Sequence, residues 1–297
     1  MLKVLITGGS GLLGNSLVSI LRDRFTIYSI AKKGKYKTVY KNVNYINLDL
    51  TSKECVPFIS NLKLDVIIHC AALIPGGVDI SQENIKEINS SIDENIISIS
   101  SKLNCYLIFM SSTIVYGYSN NTFNIKEDIA LKAISSYAVQ KIESEKLIMN
   151  KINRFLILRI NAPYGQPKPN KTVLTIFCQQ AIQNKTLFYH GTGTRMQDFT
   201  HINDISNLIY SLLKSQSFIN GVFNISYGKP ISMMNLAKLI VQTAESNSEI
   251  RASGLIDLEE EYKADYSIEK AKIQLGWEPK ITLKNGISEL IKIMKKC

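Results

Sequence analysis

Residues 7–14 read Thr7-Gly8-Gly9-Ser10-Gly11-Leu12-Leu13-Gly14 and follow directly on the apolar run Leu2–Ile6. The pattern predicts a buried strand, a glycine-rich turn and a helix. A helix N-terminus flanked by bare glycines presents backbone N–H groups to an anion, usually a dinucleotide pyrophosphate. One glycine permits the tight turn, a second lets phosphate approach the backbone, and a third lets the helix pack close to the strand. The stripe Leu12, Leu13, Leu17, Ile20 and Leu21 supplies the helical context that the motif requires.

Working outward, strand and helix signals alternate. Strands are predicted at Leu2–Ile6, Thr26–Ile30, Val43–Leu48, Asp65–Cys70, Tyr106–Met110 and Phe155–Ile160, and helices at Leu12–Arg24, Glu83–Lys102 and Ser136–Lys151. This alternation predicts an α/β fold, a Rossmann-type doubly wound parallel sheet with right-handed crossovers. Such sheets bind ligands beyond the carboxyl ends of their strands. The residues to read are therefore Gly8, Asp49, Ala71-Ala72, Ser111-Ser112 and Asn161. After Ile160 the texture changes at Pro163, Gly165, Pro167 and Pro169, and helices are expected at about 172–184, 204–214, 234–245 and 283–295. The expected organisation is a dinucleotide-binding domain of residues 1–162 plus about 201–225. A smaller C-terminal substrate-binding cap would comprise about 163–200 plus 226–297.

The 297 residues, 45% of them hydrophobic, suffice for a large core. No apolar stretch approaches the ~20 residues needed to span a bilayer, and no signal peptide is read, so the expectation is a cytoplasmic protein with no membrane partner. Five cysteines without a CxxC pair suit a reduced compartment and suggest no metal site. The net charge of +10 comes from scattered lysines without a sustained basic, aromatic-interleaved tract. Nucleic-acid binding is therefore not expected, and a phosphate-bearing small molecule suits the charge.

Tyr137 and Lys141 lie one helical turn apart and face the same side. An ammonium near a phenol favours the phenolate and makes the tyrosine a usable acid or base. The spacing alone carries nothing, since Tyr28–Lys32, Tyr164–Lys168, Tyr210–Lys214 and Tyr266–Lys270 share it. What distinguishes Tyr137 is its place at the start of a helix following the strand that delivers Ser111-Ser112. A Ser112 hydroxyl at that strand end can hydrogen-bond a carbonyl or alcohol oxygen, although serine also commonly caps turns.

Taken in order, these pieces resemble the extended short-chain dehydrogenase/reductase family, in its NAD-dependent epimerase/dehydratase branch. The matches are TGGSGLLG (7–14), Asp49-Leu50, His69-Cys70-Ala71-Ala72, Asn89 with Asn95, SSTIVYG (111–117) and Tyr137-Ala-Val-Gln-Lys141. They continue with Leu158-Arg159, Tyr164-Gly165, Gln197-Asp198-Phe199-Thr200-His201-Ile202-Asn203-Asp204, Asn224 and Leu275-Gly276-Trp277-Glu278-Pro279. The resemblance implies that Gly8, Gly11 and Gly14, with Leu12 and Leu13 of the same turn, hold the cofactor pyrophosphate. Asp49 and Leu50 would contact the adenine, Ala71 and Ala72 would lie along the cofactor, and Asn89 would support it. Tyr137 would be the acid/base, Lys141 would bind the nicotinamide ribose, and Ser112 would align the reacting oxygen. The cap would hold a nucleoside-diphosphate sugar, with Thr113, Asn161 and Arg195 as candidate contacts. A guanidinium fork suits a diphosphate, though a solvated loop charge reads equally well at Arg195. The family also implies a homodimer.

The chain departs from the family at three places. The second strand runs into Ser29-Ile30-Ala31-Lys32-Lys33, without the acid that normally binds the NAD ribose. Lys32 and Lys33 suit a 2′-phosphate, so NADP is expected over NAD. Where dehydratases carry an Asp-Glu pair after the catalytic hydroxyl, this chain has Thr113-Ile114, which argues against dehydration. Ala162 replaces the asparagine usual before Tyr-Gly at the cap entrance. The expected activity is hydride transfer at C4 of a nucleotide sugar, as a 4-keto-sugar reductase. The alternative is a 4-epimerase with tightly bound NAD. A non-catalytic cofactor sensor or nucleic-acid-binding derivative is a third reading, opposed by the intact Ser112, Tyr137 and Lys141.

Overall fold

The computed structural model describes residues 1–32, 38–75, 80–117, 123–166, 172–263 and 265–296. In chain order its elements begin β1 (Lys3–Thr7), α1 (Leu12–Leu21), β2 (Thr26–Ala31), β3 (Val43–Asn47), α2 (Cys55–Ser60), β4 (Val66–His69), α3 (Gln82–Leu103), β5 (Tyr106–Ser112), α4 (Ser136–Lys151) and β6 (Phe155–Ile160). They continue β7 (Pro163–Tyr164), α5 (Val173–Ile182), β8 (Leu187–Tyr189), β9 (Met196–Gln197), β10 (Thr200–His201), α6 (Ile202–Ser215), β11 (Gly221–Ile225), β12 (Ile231–Ser232), α7 (Met233–Ala244), β13 (Ile250–Ala252), α8 (Glu269–Leu275) and α9 (Leu283–Met294).

A seven-stranded sheet takes the order β11-β6-β5-β4-β1-β2-β3. The expected doubly wound architecture is present, with β1 pairing parallel to both β2 and β4, and β5 parallel to β4 and β6. Its central strands are apolar on both faces because helices cover both: Leu5, Ile6, Ile67, Ile68, Leu107 and Ile108 are all fully buried. Strand order reverses at β1, so the turn after Thr7 lies at the switch point where such sheets bind ligands. Register aligns the strand ends, with Thr7 opposite His69 and His69 opposite Phe109.

The helices start where small polar caps allow. Ser81 accepts the Asn84 N–H at the head of α3, and Ser135 accepts the Ala138 N–H at the head of α4. Helix α3 ends at Asn104 in the left-handed conformation, φ 48°. Helix α2 went unpredicted because it is short and contains Pro57, which the first turn tolerates since an N–H there lacks an intrahelical acceptor anyway.

The chain divides into two compact units. The first comprises the described residues of Met1–Gly117, Ala130–Ile160 and Ile205–Asn224, and contains the sheet. The second comprises those of Tyr118–Ile129, Asn161–Asp204 and Ile225–Cys297. Its core is Leu174, Phe177, Leu236, Ile240, Ile287 and Leu290, brought together by α5, α7 and α9. Two-stranded pairings β7–β10, β9–β12 and β8–β13 complete it. Among the described residues, no helix is long and apolar enough to cross a membrane.

Candidate functional site

The glycine turn is shaped by close backbone approach. Gly8 has φ +65°, and a Cβ there would lie 2.8 Å from the Ala71 nitrogen. A Cβ on Gly14 would lie 2.2 Å from the Gly8 oxygen, which no side chain can occupy. Gly11 is the N-cap of α1 and offers no side chain to the first turn, so the N–H groups around Leu12 and Leu13 have no side-chain cap. A glycine cradle against a strand end, opening on an uncapped helix N-terminus, fits a dinucleotide pyrophosphate.

The neighbouring strand end is held by the next helix. Asn89 accepts from the Leu73 N–H at 2.8 Å and donates to the Leu73 carbonyl at 2.9 Å, clamping the segment that begins with Ala71 and Ala72. Asn95, two turns further along α3, donates to the Leu50 carbonyl at 2.9 Å. The Leu50 side chain packs in the core with Leu5, Ile30 and Ile67.

At the end of β2, Lys32 forms an ion pair with Asp49 at 2.5 Å. Asp49 also accepts from the Thr51 backbone and hydroxyl, at 3.0 and 2.8 Å. The chain has no acid within β2 itself, yet the fold brings one alongside from beyond β3. Lys33 lies outside the described residues.

The three candidate catalytic groups are all carried by the first unit. Ser112 ends β5, half-buried, its Oγ accepting from the Ile114 N–H at 3.3 Å as the chain enters a 3₁₀ turn at Thr113. Thr113 itself is buried. Tyr137 and Lys141 stand on the first two turns of α4, with the buried ammonium 5.8 Å from the tyrosine ring centroid and 4.5 Å above the Phe109 ring. Beneath Ser112, Ser111 donates to Glu145 at 2.5 Å, and Glu145 pairs with Arg159 at 2.7 Å. Arg159 donates to the Tyr116 hydroxyl at 2.9 Å, and Tyr116 donates to Asn224 at 2.6 Å. This buried lattice fixes the strand end from which Ser112 projects.

One polar cluster escaped the sequence reading. Asp93 on α3 bonds His69 Nε2 at 2.9 Å, Gln140 at 2.6 Å and Ser144 at 2.7 Å, and stands 4.0 Å from Lys141. The available signal was its position one turn after Asn89, on the same face of α3.

In the second unit, the Asn161 amide donates to the Asp198 carbonyl at 3.1 Å and accepts from Gln197 at 3.4 Å. Ala162 takes φ +29°, a strained conformation for a residue with a Cβ. Arg195 forms ion pairs with Asp257 and Glu259, both at 2.9 Å.

Comparison with known proteins adds identity to this geometry. A family model described as the NAD dependent epimerase/dehydratase family matches residues 4–226. The chain is 27% identical over 310 residues to a protein of Methanocaldococcus jannaschii provisionally named a UDP-glucose 4-epimerase, covering 98% of each. It is 26% identical over 325 residues to the dTDP-4-dehydro-6-deoxyglucose reductase of Escherichia coli, covering 98% of this chain and 97% of that one. Among solved structures, the UDP-glucuronic acid 4-epimerase of Bacillus cereus, in complex with UDP-glucuronic acid and NAD, superposes with a TM-score of 0.87 at 20% identity over 99% of both chains. That last likeness shows the shared fold.

Proposed function

The chain belongs to the NAD-dependent epimerase/dehydratase family, enzymes of the extended short-chain dehydrogenase/reductase type, and from that premise we propose that it reduces a 4-keto nucleoside-diphosphate sugar. The observation that carries this reading is that Ser112 at the end of β5 and the Tyr137–Lys141 pair, with the ammonium 5.8 Å from the phenol ring, all belong to the sheet-bearing unit. The relative from Escherichia coli named as a reductase supports it.

Gly8, Gly11 and Gly14 would hold the pyrophosphate, and Asn89 would keep Ala71 and Ala72 in line beside the cofactor. When bound, the nicotinamide cofactor supplies a hydride to the sugar carbon. Tyr137 donates its phenolic proton to the oxygen of the same carbonyl, so that hydride and proton together give a secondary alcohol. The Ser112 hydroxyl donates to that oxygen and holds it in line. The Lys141 ammonium stabilises the phenolate left at Tyr137 and hydrogen-bonds the ribose. Thr113-Ile114 supply no acid or base for elimination, so the alcohol is the end point.

Lys32 favours a 2′-phosphate, and Asp49 beside it offsets part of that charge. The preference we propose, NADPH over NADH, is therefore modest. Arg195 would reach the diphosphate by exchanging Asp257 and Glu259 for phosphate oxygens, and Asn161 would act by holding the Asp198 backbone near the sugar. A second reading, 4-epimerisation with retained NAD, uses the same residues and is favoured by the Methanocaldococcus jannaschii relative provisionally named a 4-epimerase.

The test is turnover of a 4-keto nucleotide sugar with NADPH by the protein and its Tyr137→Phe variant. The variant should lose roughly 10²–10⁴-fold in kcat while still binding cofactor. Undiminished conversion by Tyr137→Phe would remove the tyrosine from the mechanism. Interconversion of 4-epimers without net cofactor oxidation would establish the second reading.

A further inference from the structure

We infer that Asp93 is a positioning residue, the buried counter-ion that keeps the Lys141 ammonium charged and in place, and that it ties this lysine through His69 and Thr7 to the backbone beside the glycine turn. The inference rests on the reading of Lys141 given above.

The hydrogen bonds form a continuous chain. Asp93 Oδ2 accepts from Gln140 and Ser144, and Oδ1 faces His69 Nε2. His69 Nδ1 lies 2.6 Å from the Thr7 hydroxyl, which accepts from the Cys70 and Ala71 N–H groups, both at 3.1 Å. Only one proton arrangement satisfies every partner. Thr7 Oγ1 accepts two N–H bonds and must donate its own proton to Nδ1. His69 is then the neutral tautomer with its hydrogen on Nε2, donating to Asp93. A doubly protonated ring would press a third N–H donor on the Thr7 oxygen.

Neutral histidine leaves the Asp93 charge to Lys141. Both side chains are almost wholly buried. Asp93 is the only carboxylate within ion-pair distance of that ammonium among the described residues. Burial pushes the Asp93 carboxyl up, but Lys141 and the bonds from His69 and Ser144 outweigh it and hold it below the usual carboxylate range. The other ionisable groups around the ammonium are Cys70 and His69 at the end of β4 and Tyr137 on α4. β5 presents the Phe109 ring. Burial raises the Cys70 thiol to about 12, so it adds no charge. An uncompensated buried charge is strongly destabilising, so the two ions hold each other.

A double-mutant cycle reads this coupling without any turnover. Lys141→Met strands the Asp93 carboxylate and should lower the thermal midpoint by roughly 5–10 °C. Adding Asp93→Asn should restore at least half of that loss. The second readout is a pH profile of kcat/KM. With the buried anion gone, Asp93→Asn should move the alkaline limb to lower pH. Asp93→Glu, which keeps the charge, should move it back toward the parent. Additive melting losses overturn the inference, and so does an alkaline limb unmoved by Asp93→Asn. If the parent protein turns over no nucleotide sugar, the proposed activity fails. The cycle still reads the ion pair, and the pH readout is then taken from cofactor affinity by fluorescence.

Discussion

Lys32 and Asp49, seventeen positions apart in sequence, meet at 2.5 Å across the ends of two adjacent strands. The β2–β3 register sets Ala31 opposite Asn47, so the residues just beyond each strand are neighbours. The lysine holds the Asp49 carboxyl below the usual carboxylate range, with Thr51 adding to it and burial opposing it. In dinucleotide-binding sheets generally, an acid about twenty residues beyond the glycine turn binds the ribose hydroxyls of NAD, and a cation nearby accommodates the 2′-phosphate of NADP.

If Asp49 tempers Lys32, removing each partner should move cofactor preference in opposite directions. Asp49→Asn frees the ammonium and should improve NADPH affinity relative to NADH by roughly fivefold, while Lys32→Ala should worsen it by a similar factor. Fluorescence titration of both cofactors checks this. Parallel shifts for NADH and NADPH in both variants would show that the pair does not read the 2′ position.

The glycines of the turn differ in what they tolerate. A Cβ on Gly14 meets the Gly8 oxygen at 2.2 Å, whereas on Gly11 the nearest atom is that same oxygen at 3.1 Å. Gly14→Ala should therefore destabilise the fold by about 1–3 kcal/mol by prising the helix from the turn. Gly11→Ala, whose contact needs a shift of only a few tenths of an ångström, should cost clearly less stability than Gly14→Ala and, with the turn holding the pyrophosphate as proposed, weaken cofactor binding. Melting curves with and without cofactor separate the two. Equal stability losses would show that both glycines serve packing alone.

The turn was legible because its meaning is local: strand, glycines and helix are consecutive, and the periodicity changes from 2 to 3.6 across eight residues. The same holds for Ser112, which ends an apolar strand, and for Tyr137 with Lys141 on one helix. Asp93 was not legible in that way. It reads as one more polar residue on a long helix until β4 and α4 bring His69, Gln140 and Lys141 around it. Asp49 was visible as a strand-end acid, but its partnership with Lys32 exists only once β2 and β3 are in register. Strand β11 was missed because it opens on Gly221 and contains Asn224, both weak β signals.

The Glu145–Arg159 pair lies behind Ser112 and is fully desolvated. Glu145→Ala leaves the guanidinium buried without its anion and should cost about 3–5 kcal/mol in urea unfolding. The double replacement Glu145→Leu with Arg159→Met removes both charges and should cost clearly less. If the double variant is as unstable as the sum of two single losses, the network is not acting as a unit.

Asp198 and Asp93, both buried, are shifted in opposite directions. Burial raises the Asp198 carboxyl to about 6, against hydrogen bonds from Ser226 and Gly228 that favour the anion, while Asp265 adds repulsion. The folded state therefore binds this proton more tightly than the unfolded chain. The resulting stability is fully present below the unfolded value near 4 and is lost as pH rises through about 6. That change amounts to roughly 2–3 kcal/mol. Asp93 acts with the opposite sign, since its depressed carboxyl contributes stability above the unfolded value and loses it as pH falls below. Asp198→Asn should remove the decline between pH 4 and 6 and leave the acid-side loss in place. Urea unfolding at half-unit pH steps on both proteins gives the difference curve. A difference that does not change across that window would place the titration elsewhere.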